Sequence, residues 1–318
     1  MFTAFVLAYE VAHLAKEVLT RMPTGRQCRP VVAMPTRGAK TLEAFRGYVD
    51  YVVVDNRDDA RRAEAAGLRW VLNRYSGKSG ALATVLEAID ADAYVFIDDD
   101  AIPGPWIEAL KRAGCAGFAT AYRWVLDPLQ NAFSLGGLDW MAWRPTRFLY
   151  GGAMAVPAGK RREAVEALLS CPIDDMALTS IADRIEVIPL LVPMRGAENA
   201  VEFFFRQAMA AKLGNRLLWA VELVYYSLWT IAALLFPPLF LIHAVRTAVR
   251  SRRALGRVDW RQIALSPLER PLQALVFIAS AFRRCFWWRG RLLCNNFKTD
   301  STPLSCYRRG GQRGRKGG

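Results

Sequence analysis

A chain of 318 residues with 53% hydrophobic content has room for one sizeable core plus an appendage, which excludes a largely disordered protein. Its formal net charge of +14 is unevenly placed, because the chain is neutral up to residue 243 and the whole excess follows. That asymmetry points to an anionic membrane surface rather than nucleic acid, which would want basic residues interleaved with aromatics on a folded face; only residues 285–291 come near that pattern.

The opening residues, 1–14, are apolar but too short to span a bilayer and lack a positive flank. They predict a surface or core-capping helix. From Pro30 onward short apolar runs alternate with amphipathic stretches, the pattern of βαβ units and a mostly parallel open α/β sheet. Strands are expected at 31–34, 51–54, 69–72, 94–97 and 153–156. Helices are expected at 58–66 (stopped by Gly67), 79–89, 105–113 and 161–169. Residues 223–242 carry no formal charge, and twenty helical residues at about 1.5 Å each match a hydrocarbon thickness of roughly 30 Å. The reading is a membrane span, broken or re-entrant at Pro237-Pro238, with Tyr225, Tyr226 and Trp229 at one interface and the arginines of 246–253 at the other. Residues 271–282 form a shorter apolar stretch, and beyond Lys298 the Arg/Gly/Ser-rich tail reads as disordered.

Two histidines, His13 and His243, leave acid–base chemistry to carboxylates. Six cysteines without a CxxC pair read as free thiols in a reducing compartment. Three consecutive aspartates, Asp98, Asp99 and Asp100, follow the apolar strand at 94–97, where open α/β sheets bind ligands. In an extended segment alternate residues share a side, so Asp98 and Asp100 can reach one hard cation, Mg²⁺ or Mn²⁺, while Asp99 faces elsewhere.

Other signals occur in order around this cluster. Pro35-Thr36 ends one strand, Asp55 ends the next, and Ser76-Gly77-Lys78-Ser79-Gly80 opens a helix without the spacing of a Walker loop. Downstream come Phe148-Leu149-Tyr150-Gly151-Gly152, then Asp174-Asp175, Arg206-Gln207 and Trp288-Arg289-Gly290-Arg291. This ordered set resembles family 2 glycosyltransferases of the GT-A fold, in particular ceramide-glucosyltransferase-like membrane members. The resemblance implies a nucleotide-sugar donor (a UDP- or GDP-sugar) held by Pro35, Thr36, Asp55, Lys78 and Asp99, with a metal on Asp98 and Asp100. It also implies that Asp175 is the general base and that Gly152, Asp174, Arg206 and Gln207 lie on the acceptor and diphosphate side. Gln207 is followed by Ala208-Met209-Ala210-Ala211 rather than completing Q-x-x-R-W, a departure that argues against processive synthesis.

The expected organisation is an N-terminal helix (1–27), a GT-A domain (28–212), membrane-associated helices (213–291) and a basic tail (292–318). The expected activity is an inverting, metal-dependent transfer of one sugar to a lipid acceptor at the cell membrane, with a cytoplasmic catalytic domain and no nucleic-acid partner. A polyprenyl-phosphate sugar transferase or polysaccharide synthase of the same fold is the alternative, and an idle membrane adaptor is the alternative of another class.

Overall fold

The computed structural model describes residues 2–20, 22, 28–36, 42–141, 146–171, 173–214, 216–288 and 291–294. In chain order, helix α1 (Phe2–Leu19) precedes strands β1 (Pro30–Pro35) and β2 (Tyr51–Val54), helix α2 (Arg57–Ala65), strand β3 (Arg69–Leu72), helix α3 (Gly77–Ala88) and strand β4 (Ala93–Ile97). Helix α4 (Pro105–Gly114), strands β5 (Phe118–Thr120) and β6 (Arg123–Val125), helix α5 (Pro128–Met141) and strand β7 (Ala153–Pro157) follow. Next come α6 (Arg161–Ser170), α7 (Asp174–Thr179), β8 (Ile185–Val187) and β9 (Val192–Met194). The described chain closes with α8 (Ala200–Gly214), α9 (Arg216–Leu235), α10 (Pro238–Leu255), α11 (Trp260–Ala281) and the hairpin β10 (Cys285–Trp288) and β11 (Arg291–Cys294).

Two compact units share these elements. The described residues of the sheet unit fall in Met22–Arg123 and Arg147–Val192, and those of the helical unit in Met1–Arg21, Trp124–Thr146 and Pro193–Ser301. Each is thus assembled from separated stretches of chain.

The sheet unit holds seven strands in the order β3-β2-β1-β4-β7-β5-β8. The first four are parallel, β7 runs antiparallel to both neighbours, and β5 pairs parallel with β8. Every residue of β4 is fully buried, as a central strand covered on both faces must be. Asn56 caps α2 by accepting from the amides of Asp58 and Asp59, and Gly67, at φ 70°, turns the chain into β3. The mostly parallel α/β sheet matches the sequence pattern, and the five strands and four helices expected all appear within two residues of their expected limits. Strands β5 and β8 have three residues each, too few for periodicity to reveal.

Cys28 and Cys115 form a disulfide with Cα atoms 5.8 Å apart, and Cys171 and Cys285 are also disulfide-bonded. The expectation of free thiols is therefore wrong. Spacing rules detect neighbours in sequence, whereas this bridge joins the approach to β1 with the C-cap of α4.

The helical unit revises the membrane segment. Residues 223–242 are not one helix: α9 stops at Leu235, and α10 starts afresh at Pro238. Proline at the first helical position suits a helix start and cannot continue the preceding one. Among the described helices only α9 is long and apolar enough to cross a membrane. Nor do all the arginines of 246–253 face an interface. Arg246 and Arg250 are fully buried and bridge Glu17 of α1 and Asp139 of α5, while Arg246 also reaches Glu10. Arg270 of α11 pairs with Asp139, and His243 lies against Glu269. Buried charges survive only when paired in this way.

Candidate active site at the carboxyl ends of the parallel strands

In a strand order of β3-β2-β1-β4 the chain leaves β1 in opposite directions, so a crevice opens beyond the carboxyl ends of β1 and β4. Thr36 sits at the end of β1, where its amide donates to the Val53 carbonyl of β2. Its hydroxyl donates to Asp99 Oδ2 at 2.9 Å. Asp99 is thereby turned toward β1. The extended segment expected at 98–100 is instead a turn, closed by the Ala101 amide donating to the Asp98 carbonyl at 3.2 Å, so the three aspartates are separated by turn geometry rather than by strand alternation. Asp55 ends β2 and accepts from the Asn73 amide at 2.7 Å, Asn73 itself lying just past β3. Pro35, Thr36, Asp55 and Asp98–Asp100 therefore share one edge of the sheet.

Lys78, on the first turn of α3, is buried, and its three ammonium protons have three nearby acceptors. Asp98 Oδ1 lies at 2.6 Å, Asp174 Oδ2 at 3.0 Å and the Gly151 carbonyl oxygen at 2.6 Å. The lysine thus ties the aspartate cluster to the start of α7. These three partners are protein oxygens, a role the sequence pattern does not reveal.

The two glycines before β7 make the room for this contact. A Cβ on Gly151 would stand 2.8 Å from Asp174 Oδ2 and 3.3 Å from Lys78 Nζ, and one on Gly152 would meet the Tyr150 ring at 2.6 Å. Because β7 is antiparallel to β4, Gly152 lies beside Asp98 and accepts its backbone N–H at 3.1 Å.

Asp174 and Asp175 open α7, and they differ. Asp174 is buried against Lys78, whereas Asp175 is half-buried and accepts from the Met176 amide at 2.8 Å. Burial, reinforced by the Asp174 charge, pushes the Asp175 carboxyl up to about 7. Asp100, at the solvent side of the turn, is raised to about 7 by the partial loss of hydration among its neighbours and by the charges of Asp98 and Asp99. Crowded acids of this kind are what a hard dication relieves, and the oxygen donor set of Asp98 and Asp100 fits Mg²⁺ or Mn²⁺.

Sequence reasoning missed Arg123 and Tyr150. The Arg123 guanidinium carbon lies 5.4 Å from the Tyr150 ring centroid and 5.6 Å from that of Tyr122, and its charge acts on Asp100. Burial raises the Tyr150 phenol well above its ordinary value. Tyr150 stands inside the Phe148–Gly152 motif, while Arg123 left no signal, since it opens a strand of only three residues. Arg206 and Gln207 belong to α8 in the helical unit, both half-buried, with the Arg206 guanidinium 5.9 Å from the Phe203 ring centroid. Arg289, Gly290 and the tail beyond Cys294 lie outside the described residues.

Neither a family model nor a curated protein sequence matches the chain. Among solved structures it is similar to the mannosyltransferase PcManGT from Pyrobaculum calidifontis in complex with GDP-Man and Mn²⁺, at 17% identity over 88% of this chain and 86% of that one, with a TM-score of 0.43. A mycobacterial protein matches at 20% identity over 64% and 78% of the two chains, with a TM-score of 0.38. Glucosyl-3-phosphoglycerate synthase from Mycobacterium tuberculosis, in complex with Mn²⁺, UDP-glucose and phosphoglyceric acid, matches at 20% identity over 59% and 76%, with a TM-score of 0.37. All three TM-scores are below one half, so function is read from this chain's own residues.

Proposed function

We propose that the protein is a metal-dependent, inverting glycosyltransferase of the GT-A type that moves one sugar from a nucleotide-sugar to a lipid acceptor at a membrane. One observation carries this reading: Lys78 joins Asp98 of the metal-binding cluster to Asp174, beside Asp175, at the crevice where the sheet order reverses. Donor-binding and proton-accepting carboxylates are thereby held in one rigid frame.

Asp98 and Asp100 would hold the cation, which supplies charge stabilisation to the leaving diphosphate. Thr36 holds Asp99 through its hydroxyl, and Asp55 with Asn73 offers a carboxylate edge to the base and ribose. Asp175 accepts the acceptor hydroxyl proton on its carboxylate as the oxygen attacks the anomeric carbon and the bond to the diphosphate breaks. A carboxyl tuned to about 7 is half ionised at neutral pH and basic enough to take that proton. Lys78 positions both carboxylates rather than reacting. Arg206 and Gln207 are assigned to the acceptor and diphosphate side on the family resemblance alone.

A cytoplasmic catalytic unit, expected from the basic segment, would accord with reduced cysteines. The Cys28–Cys115 bridge favours instead an oxidising compartment or the disulfide-retaining cytosol of a hyperthermophile. The test of function is incubation with a panel of labelled nucleotide-sugars, Mn²⁺ and membrane lipid extract. A labelled single-sugar lipid is the expected product. Polymer would favour the synthase alternative, and absence of both transfer and donor hydrolysis would favour the idle adaptor.

A further inference from the structure

The helical unit has inverted polarity. Helix α1 exposes Phe5, Val11, Val18 and Leu19, and α9 exposes Leu217, Val221, Val224, Leu228, Ile231, Leu234 and Leu235 at helical spacing along one face. Inside lie Glu10, His13, Asp139, Glu222, His243, Arg246, Arg250, Glu269 and Arg270, all buried. A water-soluble bundle places these classes the other way round.

The charges also have a boundary along the helix axes. Trp229 of α9 meets His243 of α10, with ring centroids 5.3 Å apart, and the Trp229 indole donates to Glu10 at 3.1 Å. Beyond that level Val6, Ala232, Ala233 and Leu239 form an apolar cluster, and the chain carries no formal charge in 2–9 or in 230–242. At the tip Leu234 is 71%, Leu235 76% and Leu241 69% exposed. The α9–α10 corner and the first half of α1 therefore make an uncharged wedge. From Trp229 to Leu235, and from Phe2 to Tyr9, it extends about 10 Å at roughly 1.5 Å per residue, against a hydrocarbon core of about 30 Å.

We propose that this wedge enters one leaflet of a lipid bilayer and leaves on the same side, so that the protein is held monotopically rather than by a span. The inference rests on the membrane part of the functional reading and deepens it. Charge complementarity selects lipid. The wedge surface is as uncharged as the hydrocarbon it would meet, and the chain after α11 carries Arg283, Arg284, Arg289, Arg291 and further basic residues to complement anionic headgroups. An apolar insertion plus a basic segment supplies the two signals that stable attachment requires. At the base of the wedge the charged groups pair with one another, Glu10 with Arg246 and His243 with Glu269, as buried charges near lipid must.

The test adds the intact protein, without reductant, to preformed vesicles of 70% phosphatidylcholine and 30% phosphatidylglycerol (chosen proportions, about one anionic lipid in three). A membrane-impermeant maleimide then labels Leu235→Cys at the tip and, separately, Arg261→Cys on the first turn of α11. No cysteine is free among the described residues, and the parent protein labelled in parallel sets the background. Vesicle-bound protein should show Leu235→Cys labelling reduced at least about tenfold, with or without permeabilisation, while Arg261→Cys labels from outside. A second variant, Leu234→Glu with Leu235→Glu, should fold with unchanged circular dichroism and lose most vesicle binding. Labelling of Leu235→Cys only after permeabilisation would mean a span and overturn the monotopic insertion while keeping the membrane reading. Free labelling on bound protein, or protection without vesicles in a dimer, would also overturn it. Failure to bind vesicles at all would remove the membrane reading itself.

Discussion

The Lys78 ammonium stands 3.0 Å from Asp174 and 2.6 Å from Asp98, so one buried cation separates two carboxylates from different parts of the chain. Removing it leaves buried Asp174 and half-buried Asp98 without the cation they share. Lys78→Met should cost about 3–5 kcal/mol of stability, the range for breaking a buried ion pair. The thermal midpoint should therefore fall by several degrees, more than for Lys160→Met, whose ammonium is exposed on one side. Equal midpoints for the two variants would show that the bridge contributes nothing.

Asp174→Asn and Asp175→Asn should differ in kind. The first disturbs the Lys78 bridge and lowers stability together with donor binding. The second should retain metal-dependent donor binding and lose transfer by the roughly 10²- to 10⁴-fold typical of a missing general base. Similar mild losses in both variants would place the base elsewhere.

The pH profile follows from Asp175. Transfer requires its ionised form, so kcat/KM should rise with pH and level off above about 7, a limb absent from the residual activity of Asp175→Asn. Bound metal adds positive charge nearby, and the kcat limb should lie at lower pH. Stability runs the other way. Burial holds the folded carboxyl above its ordinary 3.8, so ionisation disfavours the fold and stability falls as pH rises from about 4 to about 7. Asp175→Asn should thus be no less stable than the parent protein at pH 8, which calorimetry reads directly.

Chelation should abolish transfer, with Mn²⁺ or Mg²⁺ restoring it. Asp98→Asn and Asp100→Asn should each weaken metal-dependent donor binding, measured by titration calorimetry, while Asp58→Asn on the exposed face of α2 changes nothing. Chelator-insensitive transfer would remove the metal from the mechanism.

Reduction of the Cys28–Cys115 bridge should destabilise the sheet unit. The bridge closes a loop of 87 residues, for which chain entropy gives about 4.6 kcal/mol. Denaturant midpoints with and without reductant, compared with Cys28→Ser, check this value.

The parallel half of the sheet was legible because its signals are local. A parallel strand buried on both faces reads as an apolar run, as Ala93–Ile97 does, and the residues just past its end are those that face a crevice. What escaped depends on contacts distant in sequence. Nothing near Cys28 names Cys115, nothing near Lys78 names Asp174, and the arginines after residue 243 look like an interfacial cluster until Glu10, Glu17 and Asp139 are folded against them. The proline pair was visible in the sequence, but whether it bent a single helix or separated two required the backbone.

The reversed direction of β7 has a bearing on how such a protein could diversify. The parallel strands present their ends to the crevice, and β7 presents its beginning. Residues 148–150 therefore feed the site from the opposite chain direction, with Gly151 and Gly152 as fixed pivots. On the proposed function, variation upstream of the pivots would alter which acceptor is admitted while the donor-side turns stay unchanged, and an exchange of that stretch between related chains would be expected to swap acceptors without retuning the nucleotide.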